Sequence, residues 1–169
     1  VYYNFAGIDD YKIFANNQVT IGMPQAWPVS ALYNKINSPD TLNELLVELK
    51  TVAVVVIKND SLLYEKYWDG YSDSSLSNSF SMAKSITSLL IGAAIKEGKI
   101  KSVDEAVGNY LPEFKEGLAA ELKIKDLLTM SSGSNWDESY ANPLSVTTES
   151  YYGADLYKTA TGVKIVKKP

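Results

Sequence analysis

The stretch Thr51-Val52-Ala53-Val54-Val55-Val56-Ile57-Lys58 limits most sharply what this chain can fold into. β-Branched side chains lose χ1 freedom against the preceding turn of a helix and suit a pleated strand. The run is far too short to span a bilayer. Its apolar residues do not alternate with polar ones, which predicts a strand buried on both faces. Asn59-Asp60-Ser61 supplies a turn, and Leu62 to Trp68 reads as a second strand. Together they predict an antiparallel hairpin at the centre of a sheet.

Helical signals flank the hairpin. Residues 1–37 mix Tyr, Asn, Gly and Pro, and read as an irregular lead-in with at most a short strand. Ser38-Pro39-Asp40 predicts a helix start, with serine as cap, proline in the first helical position and an acid in the first turn. Leu42, Leu45, Leu46 and Leu49 give its apolar stripe. After a Ser/Asp/Asn-rich loop from Gly70 to Ser79, the segment holding Ile86, Leu89, Leu90, Ala93 and Ala94 predicts a helix apolar around most of its circumference, hence buried, and ended by Gly98. Ser102-Val103-Asp104-Glu105 spells a capping box and predicts a short helix closed by Pro112. Another short helix is expected over Lys123 to Met130, and long surface loops from Asn135 onward. The fold class is therefore α+β, an antiparallel sheet packed with helices.

Composition excludes several kinds of chemistry. The chain has 169 residues, a net charge of −4 and a pI of about 4.9. Its 16 basic residues are all lysine, scattered among 20 acids without a basic stripe, so nucleic acid is not an expected partner. The absence of cysteine rules out disulfides, thiol catalysis and thiolate metal sites. With no histidine either, only carboxylates could hold a metal, and no cofactor or metal is expected. No apolar run reaches membrane-spanning length.

Without histidine, a serine nucleophile needs another base, and lysine is the remaining candidate. Ser81 and Lys84 lie three residues apart where a loop meets the apolar helix, so the amine shares a helix face with the hydroxyl one turn below. The spelling alone is weak, since the chain's 18 serines and 16 lysines give about 1.7 Ser-x-x-Lys matches by chance. The competing reading makes Ser81 a helix cap and Lys84 a solvated lysine.

Phe80-Ser81-Met82-Ala83-Lys84-Ser85 after a predicted hairpin resembles the active-site helix of the penicillin-recognising serine hydrolases, the superfamily of serine β-lactamases, penicillin-binding proteins and related esterases. A second block is similar to the stretch that follows the nucleophile there: Gly98-Lys99-Ile100, Val103-Asp104, Tyr110-Leu111-Pro112, then Ile124 through Gly133. Asn135-Trp136-Asp137-Glu138 looks most like the branch of class C β-lactamase-like esterases and 6-aminohexanoate-oligomer hydrolases. The resemblance covers about residues 50 to 140. It implies a β-lactamase/transpeptidase-like fold with 1–37 as lead-in and 38–169 as the N-terminal part of the domain, stopping before the C-terminal strands.

The resemblance also implies three motifs. Ser81 and Lys84 supply the first as catalytic residues. Tyr140-Ala141-Asn142 spells the second, although in this branch the catalytic tyrosine lies farther from the serine. Tyr140 is then read as a substrate-contacting or simply exposed loop tyrosine ahead of a catalytic one, and Trp136 lines the cleft or covers a core edge. Lys158-Thr159-Ala160 only mimics the third motif, a Lys-Thr-Gly-like triplet on a strand. The implied activity is hydrolysis of an ester or amide, including β-lactam-like or peptidoglycan-like substrates, through an acyl-serine. Lys84 is the base, kept neutral by burial from its reference pKa near ~10.4. The alternatives are a non-catalytic binding or sensing module, or an inactive fragment. An exposed sheet edge is expected to favour self-association, and the bacterial cell envelope is the expected location.

Overall fold

The computed structural model describes residues 7–13, 16–139 and 142–169. The chain divides after Asn78, with 7–78 in one unit and 79–169 in the other.

In the first unit, β1 (Ala53–Lys58) and β2 (Ser61–Tyr67) pair antiparallel with Lys58 opposite Ser61. Asn59 and Asp60 between them take φ of 49° and 55°, the type I′ geometry whose twist suits a two-residue hairpin. Short polar side chains tolerate that left-handed backbone. The outer edge of β2 is partly occupied. Leu62 N–H donates to Pro28 O, Ser30 N–H donates to Leu62 O, and Asn34 N–H donates to Leu63 O. Farther along, Asn34 Nδ2 donates to Glu65 O, while Glu65 N–H donates to Asn34 Oδ1.

The expected central strand, buried on both faces, is not what forms. Among the described residues the sheet has two strands, and Val55 is 50% exposed, with Val56 and Ile57 exposed beside it. β-Branching selects extended backbone, whereas burial requires a second surface laid on the side chains.

The helix start is corrected too. α1 spans Asp40–Glu48 with Pro39, not Ser38, in the cap position. Ser38 Oγ instead donates to Asn43 Oδ1 at 2.8 Å, and Asn43 Nδ2 donates to Ser38 O, so the serine closes the turn from outside. Leu42, Leu45 and Leu49 of its stripe are exposed.

In the second unit, α2 (Met82–Lys96) ends as expected at Gly98, whose φ is +71°. Gly98 N–H donates to Ile95 O and Lys99 N–H to Ala94 O, the paired bonds of a Schellman motif. Burial of the whole helix does not follow. Ile86 and Leu89 are 59% and 69% exposed, and only toward its C-terminal end do Ile91, Ala94 and Ile95 pack on a core.

That core comprises Ile100, Val107, Phe114, Leu122 and Ile124. The stretch holding it closes on itself through Val107 N–H to Leu122 O at 2.8 Å, Ile124 N–H to Glu105 O and Lys125 N–H to Val103 O. The helix expected between Ser102 and Pro112 is replaced by a short 3-10 turn, Val107–Asn109, and two more, Pro112–Phe114 and Gly117–Glu121, follow it. Glu105 Oε2 accepts from Lys101 N–H at 2.7 Å rather than from Ser102, so the anticipated capping box closes a turn instead. Pro112 begins a turn rather than ending a helix.

α3 (Ile124–Leu128) lies within the predicted segment, with Asp126 Oδ2 accepting from Lys123 N–H at 2.8 Å. The expected loops after Asn135 contain two helices, α4 (Val146–Tyr152) and α5 (Leu156–Thr161). Ser145 Oγ caps the first by accepting from Thr148 N–H, and Asp155 Oδ1 caps the second by accepting from Lys158 N–H. These caps are the signal that sequence reading passed over, because the helices themselves are short and rich in Thr and Tyr, which have modest helix propensity. The described residues form a mixed fold of helices and one small antiparallel sheet. Among the described residues no helix is long and apolar enough to cross a membrane.

Candidate active site

The polypeptide enters α2 through Phe80, whose φ is +45°. Ser81 follows with φ −64° and ψ −12°, already helical, and its side chain makes no capping hydrogen bond. The first donors of the helix are satisfied by backbone: Met82 N–H to Ser79 O at 3.0 Å, Ala83 N–H to Phe80 O at 3.1 Å and Lys84 N–H to Ser81 O at 3.1 Å. The serine hydroxyl is thereby left to a different partner. Lys84 Nζ donates to Ser81 Oγ at 3.0 Å, within reach for proton transfer once the amine is neutral. Cap and nucleophile were competing readings of Ser81, and the hydroxyl's contact is with the lysine.

Both side chains are exposed. The burial expected to keep Lys84 neutral is therefore not supplied by α2 itself. Below the pair, Ser88 Oγ donates to Ser85 O and Thr87 Oγ1 to Ala83 O, tying polar side chains of the same helix to its own backbone. A groove of about 730 Å³ starts at Lys84 and runs between α2 and α3, walled by apolar side chains such as Ile91, Leu127 and Met130.

The other sequence-derived candidates that are described make their hydrogen bonds elsewhere. Trp136 is 37% exposed in the loop after Gly133, its N–H donating to Ser134 Oγ, and it does not line the groove. That loop is held by Asn135 N–H to Lys164 O and Lys164 N–H to Asn135 Oδ1. Tyr140 lies outside the described residues. Its motif partner Asn142 serves the start of α4, its Oδ1 accepting from Leu144 N–H and its backbone oxygen from Thr148 Oγ1. Thr159 is buried in α5 and donates to Glu149 Oε1 and Asp155 O, so Lys158-Thr159-Ala160 is helical and no strand triplet. Among the described residues no cluster of three or more acidic side chains could hold a metal.

The residue that sequence reading did not single out is Phe80. Nothing in its side chain announces left-handed backbone, which is set by the turn it has to make.

Residues 41–167 match the sequence model of the Beta-lactamase family. A relative from Paenarthrobacter ureafaciens, a 6-aminohexanoate-dimer hydrolase, is 29% identical over 107 residues. That match covers 63% of this chain and 27% of the relative, so the chain spans little more than a quarter of its length.

Proposed function

This chain belongs to the β-lactamase family, and from that premise we propose that Ser81 is the nucleophile of a serine hydrolase acting on ester or amide bonds, with Lys84 as its base. The observation that carries the proposal is the 3.0 Å contact between Lys84 Nζ and a Ser81 hydroxyl that caps nothing. In the reaction, neutral Lys84 accepts the hydroxyl proton as Oγ bonds to the carbonyl carbon, and the tetrahedral intermediate gathers charge on the former carbonyl oxygen. The Ser81 N–H, at the positive end of α2, is a donor for that oxyanion. Collapse expels the alcohol or amine, which takes the proton from Lys84, and leaves an acyl-serine. Water then adds to the ester with the same amine as base, releasing acid and restoring Ser81.

Hydrolysis is also what the relative's name states, and a Ser-Lys pair is suited to acyl transfer. Trp136, in the loop that follows Gly133, and Tyr140 are the proposed substrate contacts.

The test is intact-mass measurement after incubation with a fluorophosphonate or a penicillin, using the chain, a longer form of the protein, and the variants Ser81→Ala and Lys84→Ala. A single adduct mapping to Ser81, abolished by Ser81→Ala and slowed about 100-fold or more by Lys84→Ala, is the expected result. An adduct that survives Ser81→Ala, or none on either length of protein, sinks the proposal.

A further inference from the structure

Seven non-glycine residues take positive φ among those described, and six of them have local reasons. Asn59 and Asp60 form the hairpin turn. Asp69 shares a tight turn with Gly70, and Asn34 is of the residue type that tolerates left-handed backbone. Lys50 and Met130 follow the C-cap residues of α1 and α3, Leu49 and Thr129, where this conformation closes a Schellman motif. Thr51 N–H reaches Leu46 O after α1, and Ser131 N–H reaches Asp126 O after α3. Phe80 alone stands at the start of a helix. Its ring is 47% exposed, so burial of the side chain does not impose the conformation.

The consequence of that conformation falls on the next residue. A capping serine ordinarily sits in extended backbone and points its oxygen at the N–H groups two and three residues on. Here the carbonyls of Ser79, Phe80 and Ser81 take the N–H groups of Met82, Ala83 and Lys84, and Ser81 is already helical.

We propose that Phe80 is a positioning residue: its left-handed backbone turns Ser81 into the first helical turn, keeping the hydroxyl off the helix cap and on Lys84. The proposal rests on the reading of Ser81 and Lys84 as nucleophile and base, but its geometry can be measured separately. Glycine adopts positive φ freely, so Phe80→Gly should preserve the arrangement. A β-branched residue strongly disfavours it, so Phe80→Val should let Ser81 relax toward a cap.

The chain has no cysteine, so Ser81→Cys places a unique thiol where the hydroxyl sits. Its pKa, read from the pH dependence of iodoacetamide alkylation, reports the nearby ammonium, which lowers a thiol from its ordinary ~8.5. The depression is expected in Ser81→Cys and in Phe80→Gly/Ser81→Cys. It should be lost in Lys84→Met/Ser81→Cys and in Phe80→Val/Ser81→Cys. With Ser81 intact, Phe80→Gly should be acylated within about threefold of the parent and Phe80→Val at least tenfold more slowly. Should Phe80→Val not fold, Phe80→Ala disfavours the same φ with less bulk and replaces it. Equal thiol pKa values in the glycine and valine backgrounds, or no depression in the parent background, overturn the proposal. A depressed thiol pKa with no acylation of Ser81 in any background, on either length of protein, overturns the hydrolase reading and leaves the positioning role standing.

Discussion

In the hairpin, Val55, Val56 and Ile57 lie exposed on adjacent positions of a strand, whereas Leu122, in a stretch built from 3-10 turns and loops, is fully buried. The hairpin carries the denser apolar run and the stronger periodic signal. The stretch from Ile100 to Leu128 carries the core. The difference lies in what each brings to cover its own side chains. A two-stranded ribbon has two faces and nothing of its own to lay across them. The looped stretch folds back so that Val107 meets Leu122 and Glu105 meets Ile124 through backbone bonds, and its apolar side chains enclose one another. Apolar content decides which elements form, and closure decides which of them are buried.

The largest effect that tests this contrast is a pair of truncations followed by chemical denaturation. Leu122→Ala should cost about 2–5 kcal/mol, the range for emptying a packed position. Val55→Ala should cost less than about 1 kcal/mol, as for an exposed strand site. Comparable costs would mean that the hairpin's face is covered in solution and would break the comparison. Next comes Gly108→Ala, where the added methyl would stand 2.7 Å from Phe114 O in the looped stretch. A loss of about 1–3 kcal/mol is expected, and a neutral outcome would show that the stretch yields there. Ser81→Ala should change stability by no more than about 0.5 kcal/mol, because the side chain caps nothing. A loss near 1 kcal/mol or more would instead identify a working cap.

The smallest effect is a pH dependence confined to the hairpin unit. Tyr67 and Tyr33 both donate to the Glu65 carboxylate, which favours the neutral phenols and pushes Tyr67 up to about 12. A raised pKa means that the folded state holds its proton longer than the unfolded one. The contribution is therefore complete below the ordinary tyrosine value near ~10 and disappears as pH rises to about 12. Melting temperatures across that window should fall for the parent and fall less steeply for Tyr67→Phe. Identical slopes would remove Glu65 as an anchor for the segment around Tyr33.

The same contrast explains how much was legible in the sequence. The hairpin, its Asn59-Asp60 turn, the stop of α2 at Gly98 and the Ser81-Lys84 spacing are local matters, set by side-chain branching, left-handed tolerance and helical pitch. Each could be read from a few neighbouring residues. Burial of the β1 valines and of Ile86 and Leu89 could not, because it depends on surfaces supplied from elsewhere in space. The 3-10 turns were hidden because Glu105 chose the N–H of Lys101 over that of Ser102, a competition between two donors one residue apart. At the candidate site the pair was readable and its geometry was not. The Ser81 hydroxyl meets Lys84 rather than the helix cap beside a positive φ at Phe80, which no composition rule reveals.

The side-chain amide of Asn34 meets Glu65 as a peptide group would, offering one donor and one acceptor to the outer edge of β2. Together with the bonds from residues 28–34 to Leu62 and Leu63, it works as a plug in the ladder. Among the described residues the β2 side of the ribbon is thus largely taken. A further strand that extends this sheet, from this polypeptide or another, is steered to the β1 side, because the plug leaves β2 few backbone groups to offer it.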